Sequence, residues 1–477
     1  MSLRAKTSPL YITAWSTPEL KNYELFLSGQ KFILTGQKGT GKTAILRHME
    51  SASINNGYRT EFVVFKNEIL NEANLLNIEN PNIAGSVIEE EKLKGGKFYY
   101  HAVKRIMVSL ILSKIKENAE YDGKLNVDNK DYIEKLFGKS GKEAIRLAFD
   151  SIVSIAGSVK VDIEKASSGR LNVDPGQLIK KSNDDLLNSA VRLANIDNTK
   201  ARIFFDEMHF AFRDKETLRS DAALVRDTVL AAQALNERFA EEGIDIAIII
   251  ALRKEFLDQP EIAQADIVHV VESYGESISW ENHPSTIGHP IFDFISLRFK
   301  ASLKSKFSKH ELFKAYLNEV DPLDLLEYTW SKPRDIIRFF KTAQTIDGNT
   351  IVINSQKYKT IIRQYSTSAW QEIKSALGAF VPTDALPLLE LGLKSLIPGQ
   401  FDGSIKIDNK AFQKAIKPAF DKSTEGGAKY NINEFCKILG DYPIDASMSF
   451  WHIGDNRGCR HVVPKAHRPP VLRPLPQ

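Results

Sequence analysis

The sequence predicts an α/β chain built on a parallel sheet flanked by helices. Three observations predict it. A glycine-rich turn, Gly36-Gln37-Lys38-Gly39-Thr40-Gly41-Lys42-Thr43, stands between the apolar run Phe32-Ile33-Leu34 and an apolar-periodic helix carrying Ala44, Ile45, Leu46 and Met49. A second apolar run, Ala201 to Phe205, ends in Asp206-Glu207. A third, Ile244 to Leu252, is nearly continuous, as expected of a central parallel strand covered on both faces, and it ends in Arg253.

The turn fits the pattern G-x-x-x-x-G-K-[ST] at every fixed position, in the strand–turn–helix context that a phosphate-binding loop requires. Gly36, Gly39 and Gly41 let the backbone curl so that successive N–H groups converge on phosphate oxygens. The helix beginning near Lys42 adds its positive N-terminal dipole to the same anion. Lys42 is placed to reach the β- and γ-phosphates, and the Thr43 hydroxyl to hold Mg²⁺. The candidate nucleotide-binding residues are therefore Gly36, Gln37, Lys38, Gly39, Thr40, Gly41, Lys42, Thr43 and Ala44. The core is expected to have the P-loop NTPase fold, with ATP and Mg²⁺ as cofactors.

Composition narrows the class. The chain has 477 residues, enough for several domains, and a formal charge of +4 that says little about partners. Its two cysteines, Cys436 and Cys459, support neither a disulfide framework nor a thiolate zinc site. No stretch approaches the ~18 consecutive apolar residues of a membrane span, and Met1–Lys6 lacks a secretory apolar core. The expected compartment is the cytoplasm, with no membrane partner.

In chain order, Ser16-Thr17-Pro18-Glu19-Leu20 signals a helix start before the first strand. Tyr58 to Phe65 reads as a second strand. Residues 67–200 form an insertion: a polar excursion, a long helix over Lys97–Ala119, then short amphipathic helices near 131–138 and 142–156 among polar loops. Asp206, delivered by its strand, is the candidate Mg²⁺ ligand beside Thr43, and Glu207 is placed to orient or deprotonate the attacking water. The alternative is a strand that ends in two solvated acids. A helix is expected from Thr217 to Ala240, and Ile267-Val268-His269-Val270-Val271 reads as a further strand. The Gly/Asn/Pro/His-rich Glu281–Pro290 marks a domain boundary. Beyond it, helices dominate: Ile291–Phe299, a segment opened by Pro333-Arg334, and 366–378, 408–420 and 431–439. A β-like pair is expected around Ser447–Gly454, and the Pro-rich basic tail 462–477 reads as disordered.

The order of the phosphate loop, Asp206-Glu207, the strand ending in Arg253, Trp280-Glu281-Asn282-His283-Pro284 and Pro333-Arg334-Asp335-Ile336-Ile337-Arg338 resembles bacterial P-loop ATPases of the STAND and origin-recognition-like AAA+ branch. The resemblance covers about residues 10–345 by motif. It implies an ATPase core over 1–280, a helical lid over 281–347 and a winged-helix-like domain over 348–461. It implies that Arg253 and Arg334 sense the γ-phosphate, so that Glu207, Lys42, Arg253 and Arg334 form the catalytic set. Such proteins work as ATP-driven switches, several of them in anti-phage defence loci alongside a separate effector chain, and some form nucleotide-dependent homo-oligomers. One departure stands out: residues 255–297 contain no Lys or Arg, where an arginine finger is usually found. Either Arg213, Arg219 or Arg226 supplies it, or hydrolysis is slow; the switch reading takes the second.

Two other functions compete. Asp206-Glu207-Met208-His209 spells a DExH box, but the Q-x-x-G-R-x-x-R string of a helicase's second domain does not occur. A DNA-bound regulator or initiator would draw phosphate contacts from Lys300, Lys304, Lys306 and Lys309 and from the tail's Lys465, Arg468 and Arg473.

Overall fold

The three apolar runs become three adjacent strands at the centre of a five-stranded sheet. The computed structural model describes residues 23–65, 98–116, 129–165, 175–207, 215–257, 267–280, 286–303, 306–317, 320–329, 331–346, 352–377 and 387. A short helix α1 (Tyr23–Leu27) leads into β1 (Ile33–Gly36), then α2 (Lys42–Asn55) and β2 (Arg59–Val64). The insertion contributes α3 (Phe98–Leu112), α4 (Lys130–Leu136), α5 (Gly141–Lys165) and α6 (Pro175–Ile196). The chain returns with β3 (Ala201–Asp206), α7 (Lys215–Glu241), β4 (Ile246–Arg253), α8 (Lys254–Leu257), α9 (Ile267–Tyr274) and β5 (Gly275–Ile278).

The strand order is β2-β3-β4-β1-β5 and every pairing is parallel. All residues of β1 and β3 are buried, and all of β4 but its last, Arg253. This is the α/β P-loop NTPase fold. After β4 the chain crosses to the other side of β1, so the crevice at the carboxyl ends of the strands opens beside β1.

The strand expected over Ile267–Val271 is instead the first part of α9. Ile267 and Val270 are buried one helical turn apart, while Val268 is 36% exposed and His269 and Glu272 face outward. The edge strand follows as Gly275–Ile278. The insertion is more helical than its composition suggests. The 22-residue α6 buries Leu186, Ala190, Leu193 and Ala194, and α5 extends past residue 156. Arg105 of α3, 2% exposed, donates to Ser151 of α5 and to Ser182 and Asn183 of α6.

The insertion also covers the edge of β2. Lys114 Nζ meets Glu61 Oε2 at 2.5 Å, and Arg59 Nη1 reaches both the Lys114 carbonyl at 2.6 Å and Asp197 Oδ2 at 2.5 Å. An uncovered edge strand would be open to pairing with another chain. On the inner side, Asp227 of α7 accepts from the Tyr100 N–H in the first turn of α3 and pairs with Arg226. Burial pushes the Asp227 carboxyl above the ordinary aspartate range, against the pull of Arg226 and the Tyr100 amide. A raised folded value means that the fold favours the protonated acid. That stability is present at low pH and is lost as pH rises from the ordinary value through the raised one. Asp227→Asn keeps an acceptor for Tyr100 without the charge. It is expected to gain stability over wild type as pH rises above about 4, the ordinary aspartate range. Thermal melts of both proteins from that pH upward check it; a constant difference would contradict it.

At the opposite end of the sheet from the phosphate loop, Arg202 of β3 is 1% exposed. It donates to the Leu27, Ala201 and Asp245 carbonyls and to Asp245 Oδ1 at 2.6 Å, and it lies 4.2 Å over the Tyr58 ring. The Tyr58 hydroxyl completes the cluster by donating to Asp245 Oδ2. Because Asp245 is 38% exposed, water recovers part of what is lost when the arginine is removed. Arg202→Met is therefore expected to cost about 2–3 kcal/mol, read as an earlier denaturant midpoint. A midpoint like wild type would mean that the cluster contributes nothing net.

The chain divides into two compact units. The sheet and the helices packed on it belong to one, Thr17–Ala211 with Leu218–Ser279, whereas Trp280–Gln477 belong to the other. The second unit has α10 (Pro290–Leu303), α11 (Lys309–Tyr316), α12 (Pro322–Tyr328), α13 (Pro333–Ile346) and α14 (Ser355–Leu377). Buried His289 ties its start together, accepting from the Ile291 N–H at Nδ1 and donating from Nε2 to the Trp280 carbonyl. The expected helices at 408–420 and 431–439, the β-like pair, the tail and most of the winged-helix-like region lie outside the described residues.

Candidate functional site

The phosphate loop leaves β1 at Gly36 and enters α2 at Lys42. Gly36 has no room for a side chain: a Cβ there would lie 2.8 Å from Thr40 Oγ1 and 3.2 Å from the Ile278 carbonyl. Gly41, the residue before α2, has φ 101°, a left-handed conformation that strains any side-chain-bearing residue. Gly41, the residue before α2, brings no side-chain oxygen to cap it, and no acid lies in the first turn. The start of the helix, at Lys42, Thr43 and Ala44, therefore carries no negative charge of its own. That is what an incoming phosphate needs.

Hydrogen bonds within the loop hold its shape. Thr40, 4% exposed, donates from its hydroxyl to the Gln37 carbonyl at 2.9 Å. Lys42 Nζ folds back onto the carbonyls of Gly36 at 2.5 Å and Gln37 at 2.9 Å. Lys42 is thus not the solvent-facing side chain that a bare loop suggests. Gln37, Lys38 and Gly39 are half-buried at the crest, and Thr43 is exposed.

The sheet register brings the other candidates to the same edge. Gly36 pairs with Arg253, so this half-buried arginine stands one strand from the first glycine of the loop. Phe205 pairs with Ile250, which puts Asp206 one residue further on, level with Ala251 and Leu34 and two strand spacings, about 9–10 Å, from β1. Asp206 is 3% exposed, and its buried Oδ2 makes no hydrogen bond among the described residues. A buried carboxylate oxygen without a donor is costly unless a cation meets it. Glu207, the next residue, has φ 54°. For a residue other than glycine this conformation costs about 1–3 kcal/mol and commonly marks a functional site.

Loop, Asp206 and Arg253 thus share the C-terminal edge of adjacent strands, and an Mg²⁺ held by Thr43 and Asp206 fits the donor set. Arg334 belongs to the second unit, in the first turn of α13, with its Nε 3.9 Å from Asp335 Oδ1. Of the finger candidates, Arg226 pairs with Asp227 at 2.8 Å, while Arg213 and the Arg219 side chain lie outside the described residues. The basic stretch at 300–310 is partly neutralised, since Lys309 Nζ meets Asp293 at 2.7 Å. Asp335 and Arg338 carried no role in the sequence reading. Their i, i+3 spacing, acid then base, was the available signal.

No family model and no curated protein matches the sequence. Among solved structures the chain is similar to the Orc1 protein of Aeropyrum pernix, solved in complex with DNA. The identity is 12%, over 92% of this chain and 86% of that one, with a TM-score of 0.37. A superposition that loose transfers no function.

Proposed function

We propose that the chain is an ATP-binding and hydrolysing switch of the STAND/AAA+ kind. The observation that carries this reading is the buried oxygen of Asp206, without a hydrogen bond among the described residues, on the sheet edge that also presents the acid-free start of α2 and the glycine-cleared loop. ATP phosphates would lie against the amides of residues 36–43, with Lys42 leaving the Gly36 and Gln37 carbonyls for the β- and γ-phosphates. Thr43 and Asp206 would hold Mg²⁺, which supplies charge neutralisation to the phosphates. Glu207 would orient the attacking water and take its proton, and Arg253 would stabilise charge developing on the γ-phosphoryl oxygens. Arg334 would be the second γ-phosphate sensor: a contact made with ATP and not with ADP biases a two-state equilibrium. The setting that fits is an ATPase component acting with a separate effector chain, as in anti-phage defence.

Hydrolysis is expected to be slow, about 10⁻⁴–10⁻² per second, as in NTPases that lack a finger supplied by a partner. Phosphate release from ATP, measured with Mg²⁺ and with the metal chelated, tests this. Metal-dependent release at that rate is expected. Absence of both release and ATP binding in the folded chain would overturn the reading.

A further inference from the structure

Strand β5 belongs to the same compact unit as the phosphate loop and lies on the far side of β1 from Asp206 and Arg253. Its register sets Glu276 level with Leu34, and Ile278 level with Gly36. Leu34 is level with Ala251, and Asp206 stands in that same row. Residues level with one another in a parallel sheet send their side chains to one face. Asp206 and Glu276 therefore share a face, one on each side of the strand that carries the loop. Three strand spacings, about 14–15 Å, separate them.

The two acids have a second feature in common. Glu276 is half-buried, and its Oε2 is itself buried and makes no hydrogen bond among the described residues. Such an oxygen is costly unless a ligand brings it a donor or a cation. No group of three His, Cys, Asp or Glu that could hold a metal occurs among the described residues, so an N–H suits it better than an ion. The strand that carries it is tied to the base of the loop. Thr35 Oγ1 donates to the Glu276 carbonyl at 3.3 Å, and the Ile278 carbonyl lies 3.2 Å from where a Cβ on Gly36 would stand.

On the reading of the site given above, the γ-phosphate lies toward Asp206, Glu207 and Arg253, on β3 and β4. The α-phosphate and the nucleoside then lead away across β1, toward β5. The span from Asp206 to Glu276 is comparable with that of an extended nucleoside triphosphate, from the metal on its β- and γ-phosphates to the amino group of its base.

We infer that Glu276 determines specificity for the base: its Oε2 accepts a hydrogen bond from the exocyclic amino group of a purine. Adenine and guanine both offer that group. This deepens the nucleotide-binding reading and rests on it.

The test uses the full chain carrying Glu207→Gln, so that triphosphates persist. Calorimetry compares the Mg²⁺ complexes of ATP, GTP, purine riboside triphosphate, whose base has no amino group, and inorganic tripolyphosphate. ATP or GTP is expected to bind at least about tenfold tighter than the purine riboside nucleotide, and whichever does so identifies the base. Glu276→Leu is expected to abolish that preference and to leave tripolyphosphate affinity unchanged. Glu276→Gln keeps an acceptor of the same size without the charge, so a smaller preference is expected to remain. The inference is overturned if neither amino purine exceeds the purine riboside nucleotide, if Glu276→Leu weakens all four ligands alike, or if Glu276→Gln discriminates like wild type. A folded chain that binds neither tripolyphosphate nor any nucleotide overturns the reading beneath it.

Discussion

Lys42→Ala is expected to weaken ATP·Mg²⁺ binding by about 10²–10⁴-fold. The estimate comes from two charge-assisted contacts, to the β- and γ-phosphates, each worth about 1.5–3 kcal/mol. The fold is expected to survive, because β1 and the buried face of α2 (Ile45, Leu46 and Met49) do not depend on the amine. A folded Lys42→Ala protein that binds ATP like wild type would mean that the loop is not where the phosphates sit.

Glu207→Gln is expected to bind ATP normally and to hydrolyse it about 10²–10⁴-fold more slowly. The amide keeps the size of the side chain and removes the base that accepts the proton of the attacking water. Asp206→Asn should behave differently. Its defect would belong to Mg²⁺-dependent affinity, because its buried oxygen, without a hydrogen bond among the described residues, is the group that would meet the metal. The left-handed backbone at Glu207 sharpens the contrast, since it turns this side chain out of the alternation that carries Asp206. Phosphate release and calorimetry on both variants separate the two roles. Equal defects would mean that the two acids act as one charged patch.

Much of the core was legible because buried parallel strands leave an unmistakable composition. Ala201–Asp206 and Ile246–Arg253 are covered on both faces, so the sequence need not alternate there and reads as an apolar run. The glycines of the loop were legible for a different reason: Gly36 has no room for a Cβ and Gly41 has a left-handed φ. The segment at 267–271 was not legible. Four apolar residues in five suit either a strand or a helix turn, and only the burial of Ile267 and Val270 against the exposure of Val268 decides it. Helix α6 was hidden by its Lys, Asn, Asp and Ser content: Lys180, Lys181 and Asn188 are exposed, but Asn183 and Ser189 are buried, and polar residues inside blur the apolar stripe of Leu186, Ala190 and Leu193. The bonds that Lys42 makes back to its own loop, and the two arginines around Asp335, depend on side-chain positions. No spacing rule supplies those.

The most direct test of the account is a calorimetric titration of ATP into the full chain with and without Mg²⁺, repeated with Asp206→Asn. Tight binding that weakens when the metal is chelated in wild type, with Asp206→Asn insensitive to the metal, is the predicted result. ATP binding whose metal dependence is the same in wild type and Asp206→Asn would contradict it.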